Sequence, residues 1–133
     1  RRNEIVDSYT DIVNTAKLYC SKGTGSLTTE EISLSGVRAI YAAENKGNPP
    51  ARTPKYVSSS QTSTGNYICL KFKKTSNPYA CRQISCEINM TYIGTPLKGT
   101  NMYKLGKEDG SFEYNLEIIK KERKIRIKAS HYP

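Results

Sequence analysis

The hydrophobic periodicity of this chain changes once, from 3.6 residues to two, and that change constrains the fold more than any other feature. In EIVDSYTDIVNTAKLYC, residues 4–20, the side chains Ile5, Tyr9, Ile12, Val13, Ala16 and Cys20 form one helical stripe, while Asp7, Asp11, Asn14 and Lys17 fall off it. Acids come early and Lys17 late, as the helix dipole prefers. Ser21-Lys22-Gly23 supplies a stop, with Gly23 free to take a left-handed cap. After Gly65 the apolar residues alternate instead: Ile68, Leu70 and Phe72, then Ile84, Cys86, Ile88, Met90 and Tyr92. Phe112, Tyr114, Leu116 and Ile118 follow, and last come Ile125, Ile127 and Ala129. Such alternation predicts four half-buried strands in an antiparallel sheet with one face in water. A helix first and hairpins after predict an α+β fold, with the N-terminal amphipathic helix packed on a roughly four-stranded antiparallel sheet.

Between these blocks the signals compete. TTEE at residues 28–31 fits a capping box of Thr28 and Glu31, and Leu34, Val37, Ile40 and Tyr41 continue a short helix to Ala43. The string ISLSGV also alternates, which admits an early strand instead. From Gly47 to Gly65 the composition turns to Asn, Pro, Ser, Thr and Gly, a long surface loop with room for one edge strand at residues 55–58. A length of 133 residues predicts one domain, 1–133, divided into a helix (1–23), a helix-and-loop connection (24–65) and the sheet (66–133).

The four cysteines, Cys20, Cys69, Cys81 and Cys86, include no C-x-x-C pair, and the one histidine, His131, stands near the far end. A metal site lacks ligands, and no cofactor is expected. An even cysteine count in a small chain with ten Tyr, two Phe and no Trp predicts two disulfides and an oxidising compartment. The pairing stays open. A hairpin turning at Asn77-Pro78 sets Cys69 opposite Cys86, whereas a slip of one residue aligns Ile68 with Ile88. Cys20 and Cys86 both fall on predicted core faces, so a helix-to-sheet bridge is a third possibility. The chain opens Arg-Arg-Asn-Glu without a Met, which predicts a natural start further upstream, where any signal or anchor would lie. No nucleotide loop, zinc-protease motif or nucleophile elbow occurs, so the chain reads as a non-enzyme. N-M-T at residues 89–91 fits a glycosylation sequon.

Lys and Arg number 21 against 12 Asp and Glu, a net charge of +9 that attracts nucleic acid, anionic lipid or acidic glycan. The densest stretch is KKERKIRIK, residues 120–128, with six basic side chains and one acid in nine positions. If Ile125 and Ile127 face a core, then Lys124, Arg126 and Lys128 project together from the other face, and Lys120, Lys121 and Arg123 crowd the preceding turn. Glu113 and Glu117 on the neighbouring strand pair with part of this charge. A solvated edge guarded by lysines accounts for most of the pattern. Lys71, Lys73 and Lys74 extend the patch if their strand shares the sheet, and Tyr67 and Tyr114 could stand among these cations. No recognition helix or base-reading motif is present, so any polyanion contact here would be backbone-led and salt-sensitive.

The stretch RRNEIVDSYTDIVNTAKLYCSKG, followed by a Gly-ended turn, a variable loop and a four-stranded sheet, resembles the soluble domain of a type IV pilin or pilin-like subunit. It is similar to the exposed second half of that family's long helix, whose hydrophobic first half would lie upstream. The last cysteine is Cys86, whereas many pilins close a C-terminal loop with a disulfide, so the resemblance is to a minor pilin or a divergent subunit rather than a typical major one. It implies a pilin-like fold and an exported protein at the cell surface or in an extracellular pilus. It also implies assembly with other pilin subunits through the N-terminal helix, and membrane attachment only through the upstream segment. Adhesion, or DNA binding for natural transformation, would fall to the basic cluster. The alternative in a different class is a stand-alone secreted basic binding or inhibitor domain that joins no filament.

Overall fold

The computed structural model describes residues 2–35, 37–45, 65–72, 79–89, 102–105 and 111–131. Helix α1 (Arg2–Cys20) is followed by β1 (Leu27–Ser35), β2 (Val37–Asn45), β3 (Gly65–Phe72), β4 (Tyr79–Ile84), β5 (Glu87–Ile88), β6 (Met102–Lys104), β7 (Ser111–Lys121) and β8 (Lys124–His131). The fold is α+β, but the single four-stranded sheet expected from the alternation is instead two four-stranded sheets, ordered β1-β7-β8-β5 and β4-β3-β2-β6. All pairs are antiparallel except β5 with β8.

The helix buries the middle of the stripe its spacing predicted; Cys20 is half-buried, and the side chain of Ile5 lies outside those described. Tyr9, Ile12, Val13 and Ala16 are buried, while Asp7, Asp11, Asn14 and Lys17 are exposed. Ile40 and Ile68 of one sheet and Leu116, Ile118, Ile125 and Ile127 of the other belong to the same core cluster as this stripe. Burying an aliphatic side chain of this size contributes about 1.5–3 kcal/mol, so one helix face holds both sheets. Ile125 and Ile127 are fully buried, as the alternation required.

The expected helix at 28–43 is not formed. Those residues enter β1 and β2, and β1 pairs with β7 without a break from Leu27↔Ile119 to Ser35↔Ser111. Thr28 and Glu30 turn inward with Ile32, while Thr29, Glu31 and Ser33 are exposed. A capping box stabilises only one helix start, whereas a full ladder with apolar cross-strand contacts adds along its whole length. The connection assigned to 24–65 therefore contains two strands, and the edge strand expected at 55–58 lies outside the described residues.

Neither register foreseen for the β3 hairpin is adopted. Cys69 stands opposite Cys81 and Ile68 opposite Arg82, and Cys69–Cys81 is a disulfide. The strand expected to run from Ile84 through Cys86 and Ile88 to Tyr92 breaks at Ser85-Cys86. Glu87 and Ile88 then leave for the other sheet. The second disulfide, Cys20–Cys86, ties that break to the end of α1. The bridged residues are 66 apart for Cys20–Cys86 and 12 apart for Cys69–Cys81. Loop-closure arithmetic then gives about 4 and about 3 kcal/mol of stabilisation. Tyr67 and Cys69, expected on a wet face, are buried with Tyr41 and Ala43 in a second cluster. Both faces of β3 are covered because Tyr and Cys are themselves apolar enough to bury.

The left-handed residue after α1 is Gly25, with φ of 94°, rather than Gly23. The helix end is satisfied by the Ser21 hydroxyl donating to the Leu18 carbonyl at 2.8 Å. The positive φ is used where the chain turns into β1 and the Gly25 amide donates to the Lys120 carbonyl at 2.8 Å.

The Tyr9 hydroxyl donates to the Ile68 carbonyl at 2.6 Å, pinning α1 to β3. Burial holds this hydroxyl protonated well above the usual tyrosine range, against the weaker pull of the Arg82 charge and a hydrogen bond from the Arg82 backbone. Above pH 10.0, the ordinary tyrosine value, the unfolded chain releases this proton and the folded one keeps it, so stability falls as pH rises. Urea unfolding followed from roughly pH 9 to 11.5 is expected to show this loss, at most about 1.4 kcal/mol per pH unit from this group. Tyr9→Phe should remove that part of the slope; parallel slopes in the two proteins would refute the assignment.

Candidate binding surface at the β7–β8 hairpin

β7 and β8 are joined by the two-residue turn Glu122-Arg123, with Lys121 and Lys124 facing each other as the last register pair. Alternation then sorts the basic stretch. Lys124 and Lys128 are exposed and Arg126 half-buried on the outer face, opposite the buried Ile125 and Ile127. Lys121 and Arg123 are exposed at the tip.

Lys120 does not belong to this outward set. It follows Tyr114, Leu116 and Ile118 on the inner face of β7 and is 7% exposed. Its ammonium donates to the Cys20 carbonyl and, at 3.3 Å, to the Lys22 carbonyl. Its amide donates to the Ser26 carbonyl at 2.8 Å. The last carbonyls of a helix lack internal partners and carry the negative end of its dipole, so a lysine there is both a donor and a counter-charge. The sequence carried the signal, since position 120 continues the period-two apolar face of β7, but the density of neighbouring cations concealed it.

The remaining cations meet a different set of carboxylates from the one expected, with Glu87 in place of Glu113. Arg126 lies 3.7 Å from Glu117, which also stands opposite Lys128. Glu87, brought in by β5, stands opposite Lys124. Glu113 stands in register with Ser33 on β1, and its side chain lies outside those described. Five outward cations thus share the surface with Glu87, Glu117 and Glu122, leaving a surplus of two. Exposed pairs of this kind contribute a few tenths of a kcal/mol up to about one. Lys71 is on β3, in the other sheet, opposite Tyr79. Lys73 and Lys74 lie outside the described residues. Tyr67 is in the second cluster and Tyr114 in the main core, so neither stands among the cations.

An open cleft of about 770 Å³ borders the hairpin. Lys121, Arg123 and Lys124 line one side, with Glu122 among them, and Ser85, Cys86 and Glu87 also line it. A second cleft of about 550 Å³ between α1 and β1 is acidic, with Asp11, Glu30 and Glu31. There Thr15 Oγ1 donates to Glu30 Oε1 at 2.6 Å. Among the described residues, no group of three or more His, Cys, Asp and Glu side chains is placed to hold a metal ion. A scan against protein-family models and searches of curated proteins and solved structures return no match for this chain.

Lys120→Met keeps the aliphatic stem and removes the donors. It is expected to lower the unfolding free energy by about 1–3 kcal/mol, because part-buried carbonyls at and just beyond the helix end lose their partner. Lys128→Gln, on the outer face, should stay within about 0.5 kcal/mol of the parent. Urea denaturation of both variants is the measurement, and equal effects would refute the capping role.

Proposed function

We propose that this chain is the extracytoplasmic domain of a type IV pilin-like filament subunit of the minor kind. On this reading it is a structural or adhesive protein rather than an enzyme, exported through the inner membrane and displayed at the cell surface. The observation that carries the reading is the seating of α1. Its stripe is buried against both sheets, Tyr9 pins it to Ile68, and Cys20–Cys86 bonds its last residue to the chain beyond β4. A load applied along the helix is shared by the buried stripe and a covalent bond in shear, which suits a subunit held in an assembly by its N-terminal helix. Other pilin subunits are the partners on this reading, and an apolar segment upstream supplies the membrane attachment. No helix among the described residues is itself long and apolar enough to cross a membrane.

The test is to shear surface filaments from the encoding organism and probe them with antibody to this chain. Co-sedimentation with filaments and immunogold labelling along them are expected. Recovery only as a monomer in the medium would sink the proposal in favour of a stand-alone secreted basic binding domain.

A second reading, contact of the hairpin with DNA or another anionic surface, is favoured by one observation. Lys121 and Lys124 are like charges directly opposite each other, an arrangement that costs stability, and Glu87 opposite Lys124 answers only one of the two. With a surplus of two cations, the log–log dependence of duplex affinity on salt is expected to have a slope of about −2. A flat response, or no loss when Lys121, Arg123, Lys124, Arg126 and Lys128 are all replaced by Gln, ends this reading.

A further inference from the structure

The two disulfides occupy different surroundings. Cys69 is fully buried and the half-buried Cys81 packs against the second cluster, and neither of the two clefts described above is lined by either residue. Cys86 is half-buried and lines the cleft beside the hairpin, in the company of Lys121, Arg123 and Lys124. Both bridges have one half-buried end or more, but only Cys20–Cys86 has a cysteine lining a cleft that also carries cations.

We propose that this cleft is a thiol–disulfide exchange site, at which a small thiol bearing carboxylates attacks Cys86 and opens the Cys20–Cys86 bond. The incoming thiolate forms a new S–S bond to Cys86 Sγ as the Cys20–Cys86 S–S bond breaks. Cys20 departs as a thiolate with the bonding electron pair and takes a proton from water. The product is a mixed disulfide on Cys86 and a free thiol on Cys20, with no net change in the number of disulfides.

Three features of the site favour this step. The cleft admits a molecule of tripeptide size. Its three cations attract a carboxylate-bearing thiolate and stabilise the negative charge spread over the sulfurs during attack, with Glu87 and Glu122 limiting the effect. The departing Cys20 stands at the negative end of α1, where a thiolate is disfavoured, but the Lys120 ammonium held on the Cys20 carbonyl offsets that end. Once the bond opens, α1 keeps its buried stripe and the Lys120 contacts, so the helix stays seated while the covalent tie to Cys86 is gone. The inference stands apart from the filament reading and is tested without filaments.

The native protein is exposed without denaturant to glutathione, 2-mercaptoethanol or cysteamine (anionic, neutral and cationic probes). Free thiols are then alkylated, and peptide mass spectrometry identifies which bridge has opened. Cys20–Cys86 is expected to open first with every probe. The glutathione-to-cysteamine rate ratio, each rate normalised to a small uncharged disulfide, should exceed one by about threefold and fall towards one in roughly 0.5 M salt. The triple variant Lys121→Gln, Arg123→Gln, Lys124→Gln should also bring the ratio towards one, and should slow 2-mercaptoethanol less than glutathione. Opening through global unfolding would release both bridges together. Simultaneous opening, earlier opening of Cys69–Cys81, or a ratio unmoved by the triple variant overturns the proposal.

Discussion

Burial of one helix face between two sheets is the constraint on which the rest of this structure depends. Tyr9, Ile12, Val13 and Ala16 share a single core with residues of both sheets, so neither sheet has an independent apolar interior facing the helix. The sheets meet along the path from β1 to β2, where the chain passes from one ladder into the other between Ser35 and Val37. Loss of the helix would leave two sheets with unmatched apolar faces. An antiparallel sheet with one covered face needs that cover to be stable.

The C-terminal end of α1 is where polar and covalent chemistry completes what burial begins. Cys20 is bonded to Cys86, its carbonyl accepts from Lys120, and Lys120 also exchanges backbone hydrogen bonds with Ser26 and Gly25. These contacts bring the helix end, the turn into β1, the end of β7 and the break after β4 to one place. A buried lysine is costly unless its donors are satisfied, and here the partners are the carbonyls that a helix end leaves unpaired. The hairpin cleft borders this junction, with Thr24, Cys86 and Lys121 in its lining.

The outer face of β8 shows how a basic run in one dimension becomes a mixed surface in three. Lys124 meets Glu87, Lys128 meets Glu117, and Arg126 lies near Glu117 as well. Most of the stretch is therefore an ordinary solvated strand face with cross-strand charge pairing. The hairpin tip keeps one cation of the surplus, Lys121 and Arg123 against Glu122, and it does so beside a cleft. The other lies on the strand face, where Arg126 and Lys128 share Glu117. The proposals follow that division, assigning the mechanical role to α1 and the contacts with anions to the hairpin tip.

Much of the architecture was legible in the chain itself. The 3.6-residue spacing of residues 4–20 identified the helix and its buried face, the alternation of Ile125 and Ile127 with Lys124, Arg126 and Lys128 sorted β8 into inner and outer sides, and the even cysteine count pointed to two disulfides. These are local properties, set by where each side chain points relative to its neighbours along the chain. The partition into two sheets, the strand identity of residues 27–45, the pairing of Cys69 with Cys81 and the conversion of Lys120 from a surface cation into a helix cap were decided only in the tertiary structure. Each depends on which distant segment arrives opposite. That choice is made by the shared core and by cross-strand contacts between residues far apart in sequence, where periodicity carries no information about the partner.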